Sequence, residues 1–511
     1  MIGIELASQL LHKADRRRRK SARKPVRRFT PALEGLESRT LLSFAAPRNF
    51  AVDGEGRSLA TADLTGSGNS DLVVTGPDGG AGTSHTVSIL LGNGDGTFQR
   101  ARNVDVGPSP YAVAIGDFNG DLIPDLAVTH AGAFSSDFNT VSILLGNGDG
   151  TFRAAGDLQV GRDPRAIAVG DLRGDGMLDL VTANTSSNTV SVLLGNGDGT
   201  FQSAVDLPVE PNPIAVSVVD LNGHLSIVTA NVGVIGGDDG GSVSVLLGNG
   251  DGTFQSAVTL GLGNAGSRAE PRSLAVADLT GSGILDLVTA NDSDDGGTVS
   301  IFMGNGDGTF KSAVTYPVVH TGGDIFVSNP LAVAVGNFDG QQDLIVSNVT
   351  LFLPARGSLS QLFLLSGNGD GTFGAPVAMD AGASPFAMTV GHFASDGNLD
   401  VAASNAAGGD VTVLLGNGDG TFNMAPDYPT GRNPISLAQG DFKRDGVVDL
   451  VTANSNADSV SVLIGNGNGT FQAPVGYSVG HQPTFVTVAD LRNNGIQDII
   501  VANVGTNRHG T

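Results

Sequence analysis

The chain has 511 residues, of which 75 are Gly and none is Cys or Trp. The absence of Cys excludes disulfides, zinc–thiolate sites and thiol catalysis. So many Gly residues argue against a helical protein, because Gly is costly inside helices. A net charge of −23 makes binding to nucleic acid unfavourable, and a hydrophobic content of 40% predicts a globular protein.

Residues 1–43 form a basic leader with 11 Lys and Arg against 4 Asp and Glu, and we expect it to be disordered and separate from residues 44–511. No apolar stretch follows the basic run, so it is not a typical secretory signal. Its end, "LEGLESRTLLS", resembles the LEPR-x-L-L leader motif of repeat-rich bacterial surface proteins, with Ser38 in place of the usual Pro. The resemblance implies export.

A seven-residue motif, GNGDGTF in its commonest form, recurs roughly every 50 residues, a period typical of solenoids, arrays and propellers. The eight copies begin at Gly92, Gly146, Gly195, Gly248, Gly304, Gly367, Gly416 and Gly465. Asn-Gly and Asp-Gly favour the positive φ values of tight hairpin turns. We therefore interpret the motif as a turn, with a cation site at its Asp as the alternative, and expect its Phe to pack between sheets.

One unit, residues 166–209, shows the organisation around this turn. "AIAVGDL", "LDLVTAN" and "NTVSVLLGN" have the composition of strands, and the partly polar "FQSAVDLPV" has that of an outermost fourth strand. No helical periodicity follows residue 43. The sequence predicts an all-β protein, a β-propeller of four-stranded antiparallel blades, with seven or eight blades and eight favoured. Residues 44–53 supply a fourth strand and 484–503 a first and second, so ring closure lacks a third strand.

A different acidic pattern joins the first strand of each unit to the second. In "DFNGDLIPD" the oxygens of Asp117, Asn119 and Asp121 alternate, Asp125 follows, and the carbonyl of Ile123 could add a ligand. Calcium takes about 6–8 oxygen ligands, so these loops are candidate calcium sites. The other candidate ligands are Asp63, Thr65, Ser67, Asp71, Asp171, Asp175, Asp179, Asp278, Thr280, Ser282, Asp286, Asp441, Asp445, Asp449, Asp490, Asn494 and Asp498. The alternative is that each loop is an Asx turn that caps its own backbone.

Several loops depart from this pattern. Arg173, Lys443 and Arg492 occupy the third position, where a basic side chain would compete with a metal or swing outward. The loops at 220–226 and 337–343 are shortened, and the loop at 392–400 lacks its first carboxylate. An "RGD" string at 173–175 falls inside a calcium-type loop, so we treat it as chance.

The loops resemble the calcium loop of FG-GAP/VCBS-like repeats, the blades of integrin α-type β-propellers, with the consensus D-x-[DN]-x-[DN]-G-x-x-D. The resemblance covers residues 44–511. It implies a propeller of seven or eight blades, calcium in some loops, and ligand binding by the assembled face.

Catalytic motifs are absent from the sequence. The eight His residues are scattered, and no G-x-S-x-G, P-loop or H-E-x-x-H string occurs. We predict a calcium-stabilised, non-catalytic adhesion or interaction module, extracellular or at the cell surface, with no transmembrane segment. We expect it to be a monomer that binds a protein or a glycan. Two alternatives remain open: a lectin-like propeller, disfavoured by 4 Tyr and no Trp, and a glycan-cleaving propeller.

The connections between strands predict where the ligand binds. Successive connections in an antiparallel blade alternate between its two ends, so the acidic loops and the turns share one face. The second-to-third connections lie on the other face and differ between blades, as binding loops commonly do. Within residues 130–139 we predict His130, Phe134 and Phe138 as ligand contacts. The alternative is a tolerated insertion.

Overall fold

The computed structural model describes residues 52–53, 58–75, 85–94, 97–131, 139–234, 240–263, 269–293, 296–318, 328–350, 361–491, 494–504 and 509–510. All of these belong to one compact unit, Pro47–Thr511. The basic leader, Phe134, Phe138 and Arg492 lie outside the described residues.

The described residues form strands and no helix, as the sequence predicted. The strands are β1 (Val52–Asp53), β2 (Ser58–Ala62), β3 (Asp71–Thr75), β4 (Thr86–Leu90), β5 (Arg102–Asp105), β6 (Pro110–Gly116), β7 (Asp125–Ala131), β8 (Asn139–Gly146), β9 (Phe152–Gln159), β10 (Pro164–Gly170), β11 (Asp179–Asn184), β12 (Thr189–Leu193), β13 (Val205–Pro208), β14 (Pro213–Asp220), β15 (Leu225–Asn231), β16 (Ser242–Leu246), β17 (Val258–Gly261), β18 (Glu270–Ala277), β19 (Asp286–Asp292), β20 (Thr298–Phe302), β21 (Val314–Pro317), β22 (Ser328–Asn337), β23 (Gln342–Thr350), β24 (Gln361–Leu365), β25 (Val377–Met379), β26 (Pro385–Gly391), β27 (Asp400–Asn405), β28 (Asp410–Gly416), β29 (Phe422–Met424), β30 (Tyr428–Pro429), β31 (Pro434–Gly440), β32 (Asp449–Asn454), β33 (Ser459–Leu463), β34 (Val475–Ser478), β35 (Pro483–Ala489), β36 (Asp498–Asn503) and β37 (His509–Gly510).

Eight sheets repeat one topology, in which antiparallel strands are hydrogen-bonded in chain order. They are β2–β5, β6–β9, β10–β13, β14–β17, β18–β21, β22–β25, β26–β30 (where β30 also pairs with β28) and β31–β34. The four predicted strands of residues 166–209 correspond to β10, β11, β12 and β13. The fold is therefore a multi-bladed β-propeller.

Burial changes from the first strand of a sheet to the last. First strands of consecutive sheets contact one another, as β2 does β6 and β6 does β10, so they are innermost. The second strand β11 is wholly buried, since Val, Leu and Ala can face neighbouring sheets on both sides. The fourth strand β13 is mostly exposed, which confirms that the fourth strands are outermost.

The hydrophobic core consists of clusters between neighbouring sheets. In one cluster Ile143 of β8 packs with Leu180 of β11, and Phe118 and Phe201 complete it. The rings of Phe118 and Phe201 meet edge to face at 5.6 Å between centroids. Phe201 ends one copy of the turn motif, so the prediction that this Phe packs between sheets is confirmed.

The two ends of the chain close the ring. β35 and β36 pair with each other, and residues around them form a core cluster with Leu72 and Val74 of β3. β37 pairs with β1, and among the described residues neither of these two strands is hydrogen-bonded to β36. Because β35 and β36 form a separate two-stranded sheet beside the eight larger ones, the predicted number of blades is not confirmed.

Candidate functional site

The last aspartate of an acidic loop joins that loop to the neighbouring turn. In the sheet β6–β9, Asp125 Oδ2 accepts the amide of Phe118 at 2.9 Å, and Asp125 Oδ1 accepts the amide of Gly146 at 2.7 Å. Gly146 is the first residue of a turn motif, so the acidic loop and the turn lie at the same end of the sheet, as predicted. The same pair of bonds is made by Asp71, Asp179, Asp286, Asp343, Asp400 and Asp449.

These aspartates are buried, and burial is the largest influence on their acidity. Asp125 is 0% exposed. Burial raises the pKa of Asp71, Asp125, Asp179, Asp286, Asp343 and Asp400, although the amide hydrogen bonds oppose this by favouring the ionised form. The effect is largest at Asp449, whose pKa rises to about 6.

The first aspartate of the loop caps the loop backbone. Asp117 Oδ2 accepts the amide of Leu122 at 2.8 Å, and Asp117 Oδ1 accepts the amides of Gly120 at 2.7 Å and of Asp121 at 3.2 Å. Equivalent bonds to the amides four and five residues later are made by Asp63, Asp171, Asp278, Asp441 and Asp490. Asx-type capping, the alternative interpretation of these loops, is therefore present in the structure.

The turn motif holds itself by internal hydrogen bonds. Asp198 Oδ1 accepts the amide and the hydroxyl of Thr200, and Asn196 Nδ2 donates to the same hydroxyl at 2.8 Å. The Thr200 hydroxyl holds the pKa of Asp198 below its ordinary value. A Cβ on Gly195 would meet the carbonyl oxygen of Leu178, so only Gly lets the turn approach the acidic loop. These contacts favour the structural interpretation of the motif.

The Asp117 loop brings the predicted ligands Asp117, Asn119 and Asp121 together. Asn119 Nδ2 donates to Asp121 Oδ2 at 2.9 Å, and the amide of Ile123 donates to Asp121 Oδ1 at 2.8 Å. Leu122 stands out because it is 89% exposed with φ at 66°. In most other loops Gly occupies this position with a positive φ.

The third residue of two loops is a base that points inward. Arg173 Nη1 lies 3.2 Å from Asp175 Oδ2, and Arg173 Nη2 lies 3.0 Å from Asp179 Oδ1. Arg173 Nη2 also donates to the carbonyl of Gly195. Lys443 Nζ lies 2.8 Å from Asp445 Oδ2 and donates to the carbonyl of Gly465 at 3.1 Å. The sequence left open whether these bases swing outward, and the structure shows that they do not.

The remaining loops have fewer carboxylates. Thr65 Oγ1 donates to Ser67 Oγ at 2.9 Å, and Thr280 and Ser282 repeat this contact. In the loop at 392–400, His392 takes the place of the first carboxylate and its Nδ1 lies 2.7 Å from the carbonyl oxygen of Asn398.

The fit of calcium to these residues is uneven. Among the residues that the structure describes, no three His, Cys, Asp or Glu side chains form a group that could hold a metal ion. The Asp117 loop offers the exposed carboxylate of Asp121, the half-buried carboxylate of Asp117, whose oxygens also accept backbone amides, and the amide oxygen of Asn119. Asp125 is a poor ligand because both of its oxygens are buried against backbone amides. Calcium in this loop remains a prediction.

His130 is not on the surface, contrary to the expectation for a ligand contact. It lies in β7, is 2% exposed, and is bonded through both ring nitrogens, to the carbonyl oxygen of Pro108 and to Ser142 Oγ, each at 2.8 Å. Burial lowers the pKa of His130. Because β7 continues to Ala131, His130 is part of the sheet and cannot meet a ligand directly.

The sequence analysis did not predict the series of side-chain hydrogen bonds to which His130 belongs. Ser142 Oγ lies 2.6 Å from Asp157 Oδ1, so second, third and fourth strands are linked. In the sheet β10–β13 the same series is Asn184, Ser191 and Asp206. The signal was available, because "TAN" recurs in the second strands and "VTH" replaces it in β7, with His130 in the place of Asn184.

A comparison with family models identifies the repeat. The model of the FG-GAP-like repeat matches residues 63–128, 131–182, 171–223, 392–452 and 441–501, together more than half of the chain. The chain belongs to the FG-GAP-like repeat family. Several matches begin at the first residue of an acidic loop, as at Asp63 and Asp171, and the resemblance drawn from these loops is confirmed.

Comparisons with individual proteins gave only distant similarity. A search of curated proteins gave no match. A protein from Lactobacillus plantarum is 15% identical with a TM-score of 0.40, covering 71% of this chain and 98% of its own. The periplasmic gluconolactonase PpgL of Pseudomonas aeruginosa is 16% identical with a TM-score of 0.38, and the match covers 69% of this chain and 94% of PpgL. The dihydro-heme d1 dehydrogenase NirN is 12% identical with a TM-score of 0.45, and the match covers 87% of this chain and 77% of NirN.

Among the described residues, no helix has the length and apolar character needed to span a bilayer.

Proposed function

We propose that this FG-GAP-like propeller is an exported interaction module that binds a protein or glycan without catalysis, on the face formed by the second-to-third strand connections. The difference between its two faces carries the proposal. On one face the acidic loops and turns repeat the same internal hydrogen bonds from sheet to sheet. Their side chains are committed to the scaffold, so little chemistry remains there for a substrate.

The other face varies in the way expected of a binding surface. The connection from β11 to β12 runs from Asn184 to Thr189. Those from β7 to β8 (Ala131 to Asn139) and from β15 to β16 (Asn231 to Ser242) are longer. Variable connections on a repeated scaffold are a common way to build a ligand site. Export is supported by the leader-like sequence within residues 33–43.

We further propose that calcium binds in the Asp117 loop. Asp117, Asn119 and Asp121 would hold it, and the cation would supply the positive charge that offsets the repulsion between the two carboxylates. Binding only to the folded state would stabilise the module by mass action. A dissociation constant of roughly 10⁻⁴–10⁻³ M is typical of extracellular modules of this kind.

An array experiment tests the binding function. The purified chain is applied to extracellular-matrix proteins and to glycans, in millimolar calcium and in chelator, and is also incubated with the same polysaccharides to detect cleavage. We expect saturable binding to at least one ligand, stronger in calcium, and no shortening of any polysaccharide. Depolymerisation would replace this proposal with a glycan-cleaving enzyme, and failure to bind anything would contradict an interaction role.

A further inference from the structure

Two acidic loops hold a positive charge of their own at the same place. Arg173 and Lys443 are both the third residue of their loops, and both lie mostly buried, with 16% and 19% of the side chain exposed. Each makes an ion pair with the fifth residue of its loop, Asp175 or Asp445. Each also donates to a backbone carbonyl, that of Gly195 or Gly465.

The two carbonyl acceptors are equivalent in the repeat. Gly195 and Gly465 both begin a turn motif, and both donate their own amides to the last aspartate of the loop. The base therefore connects the loop to the turn from the carbonyl side while the aspartate connects them from the amide side. In another sheet the neutral Asn222 reaches the carbonyl of Gly248 from the same loop position, at 3.4 Å.

The Asp117 loop differs at this point. Its third residue, Asn119, donates to Asp121 within the loop, and residues 117–125 contain no Lys or Arg. A protein cation that already pairs with the loop carboxylates removes their need for a metal. It also repels a divalent ion brought within a few ångströms of it.

We infer that Arg173 and Lys443 are built-in cations that tie the acidic loop to the adjacent turn and exclude calcium from these two loops. The exclusion of calcium rests on the calcium site proposed for the Asp117 loop. The link between acidic loop and turn does not depend on that site. The inference withdraws six predicted ligands: Asp171, Asp175, Asp179, Asp441, Asp445 and Asp449. In these loops the carboxylates serve Arg173 and Lys443 and the backbone.

The link that Arg173 makes between acidic loop and turn is tested in chelator, where calcium plays no part. Arg173→Lys keeps the charge in the form that Lys443 has, and Arg173→Met keeps the stem, which packs near Gly252, without the charge. We expect Arg173→Lys to melt close to the parent and Arg173→Met about 1–3 °C lower, because charge-assisted hydrogen bonds are lost in a long chain. If Arg173→Met and the parent have the same melting temperature, the inferred link between loop and turn is wrong.

The exclusion is tested by counting bound calcium with equilibrium dialysis. Arg173→Asn gives its loop the amide side chain that Asn119 supplies in the Asp117 loop, and Asp117→Asn is the control that weakens the proposed site. We expect Arg173→Asn to bind one more calcium ion than the parent, and Asp117→Asn one fewer. If Arg173→Asn binds no more than a parent that does bind at Asp117, exclusion is wrong. If the parent binds no calcium, the proposed calcium site fails, and the melting temperatures alone test the link between loop and turn.

Discussion

At the scale of single residues, the carboxylates of the acidic loops act mainly as acceptors for backbone amides. Asp117 and Asp125 accept amides at opposite ends of one loop, and between them they fix its path. The sequence pattern predicted a calcium site at these residues, with an Asx turn as the alternative. A pattern of oxygens at alternate positions is the same for a calcium loop and an Asx turn, so it could not separate the two.

Leu122 is strained by its backbone conformation and has almost no packing in return. Its φ is 66°, in the left-handed region that favours Gly, and 89% of it is exposed. We expect Leu122→Gly to increase the free energy of unfolding by about 1 kcal/mol, measured by chemical denaturation. Leu122→Ala is the control, since it removes the apolar side chain but keeps the Cβ. An equal gain from both variants would show that exposure, and not φ, is the cause.

At the scale of elements, the strands were predictable and the side-chain directions were not. "AIAVGDL" and "LDLVTAN" gave β10 and β11 because short runs rich in Val, Leu and Ala between turn formers have few other stable states. Arg173 could not be placed, since its direction depends on the turn carbonyl of Gly195, 22 residues away. His130 was misplaced because β7 continues to Ala131, two residues into the segment 130–139 that was counted as a loop.

Asp449 couples the loop and the turn of the sheet β31–β34, and it should make that sheet sensitive to pH. Its pKa is about 6 in the folded state, against an ordinary value of 3.8. Between these values the folded state holds a proton that the unfolded chain has released. The contribution of Asp449 to stability therefore falls as the pH rises from about 4 to 6.

Asp449→Asn removes this titration. The melting temperature of the parent should exceed that of Asp449→Asn by more at pH 4 than at pH 7, in chelator throughout. The change in this difference between the two pH values should correspond to roughly 1–3 kcal/mol. A loss of two backbone hydrogen bonds alone would lower the variant equally at both pH values. A difference that does not change with pH would therefore contradict the raised pKa.

At the scale of the whole molecule, the ring is closed by segments from both ends of the chain. The sequence predicted that residues 44–53 meet residues 484–503 but did not predict β37, the two-residue strand His509–Gly510 that pairs with β1. So short a strand has no periodicity to detect. The division into a repeated face and a variable face was predictable, since it follows from strand order alone.

The structure shows how the variable face can be altered without disturbing the sheets. His130 pairs with Thr140 in register, as Asn184 pairs with Thr189 in the sheet β10–β13. Residues 131–139 can therefore be replaced by the four residues Thr-Ser-Ser-Asn that join the latter pair. Asn231 pairs with Ser242 in the same way, so residues 232–241 accept the same replacement as a matched control.

Affinity for the ligand found in the array, measured for these two replacements beside their melting temperatures, tests the central claim most directly. We predict that the replacement of residues 131–139 lowers affinity at least about tenfold, a loss of about 1.4 kcal/mol, while melting is unchanged. The replacement of 232–241, a connection without the aromatic residues predicted as ligand contacts in 130–139, should leave affinity near that of the parent. Unchanged affinity after replacement of 131–139, with melting intact, would contradict the assignment of ligand binding to this connection.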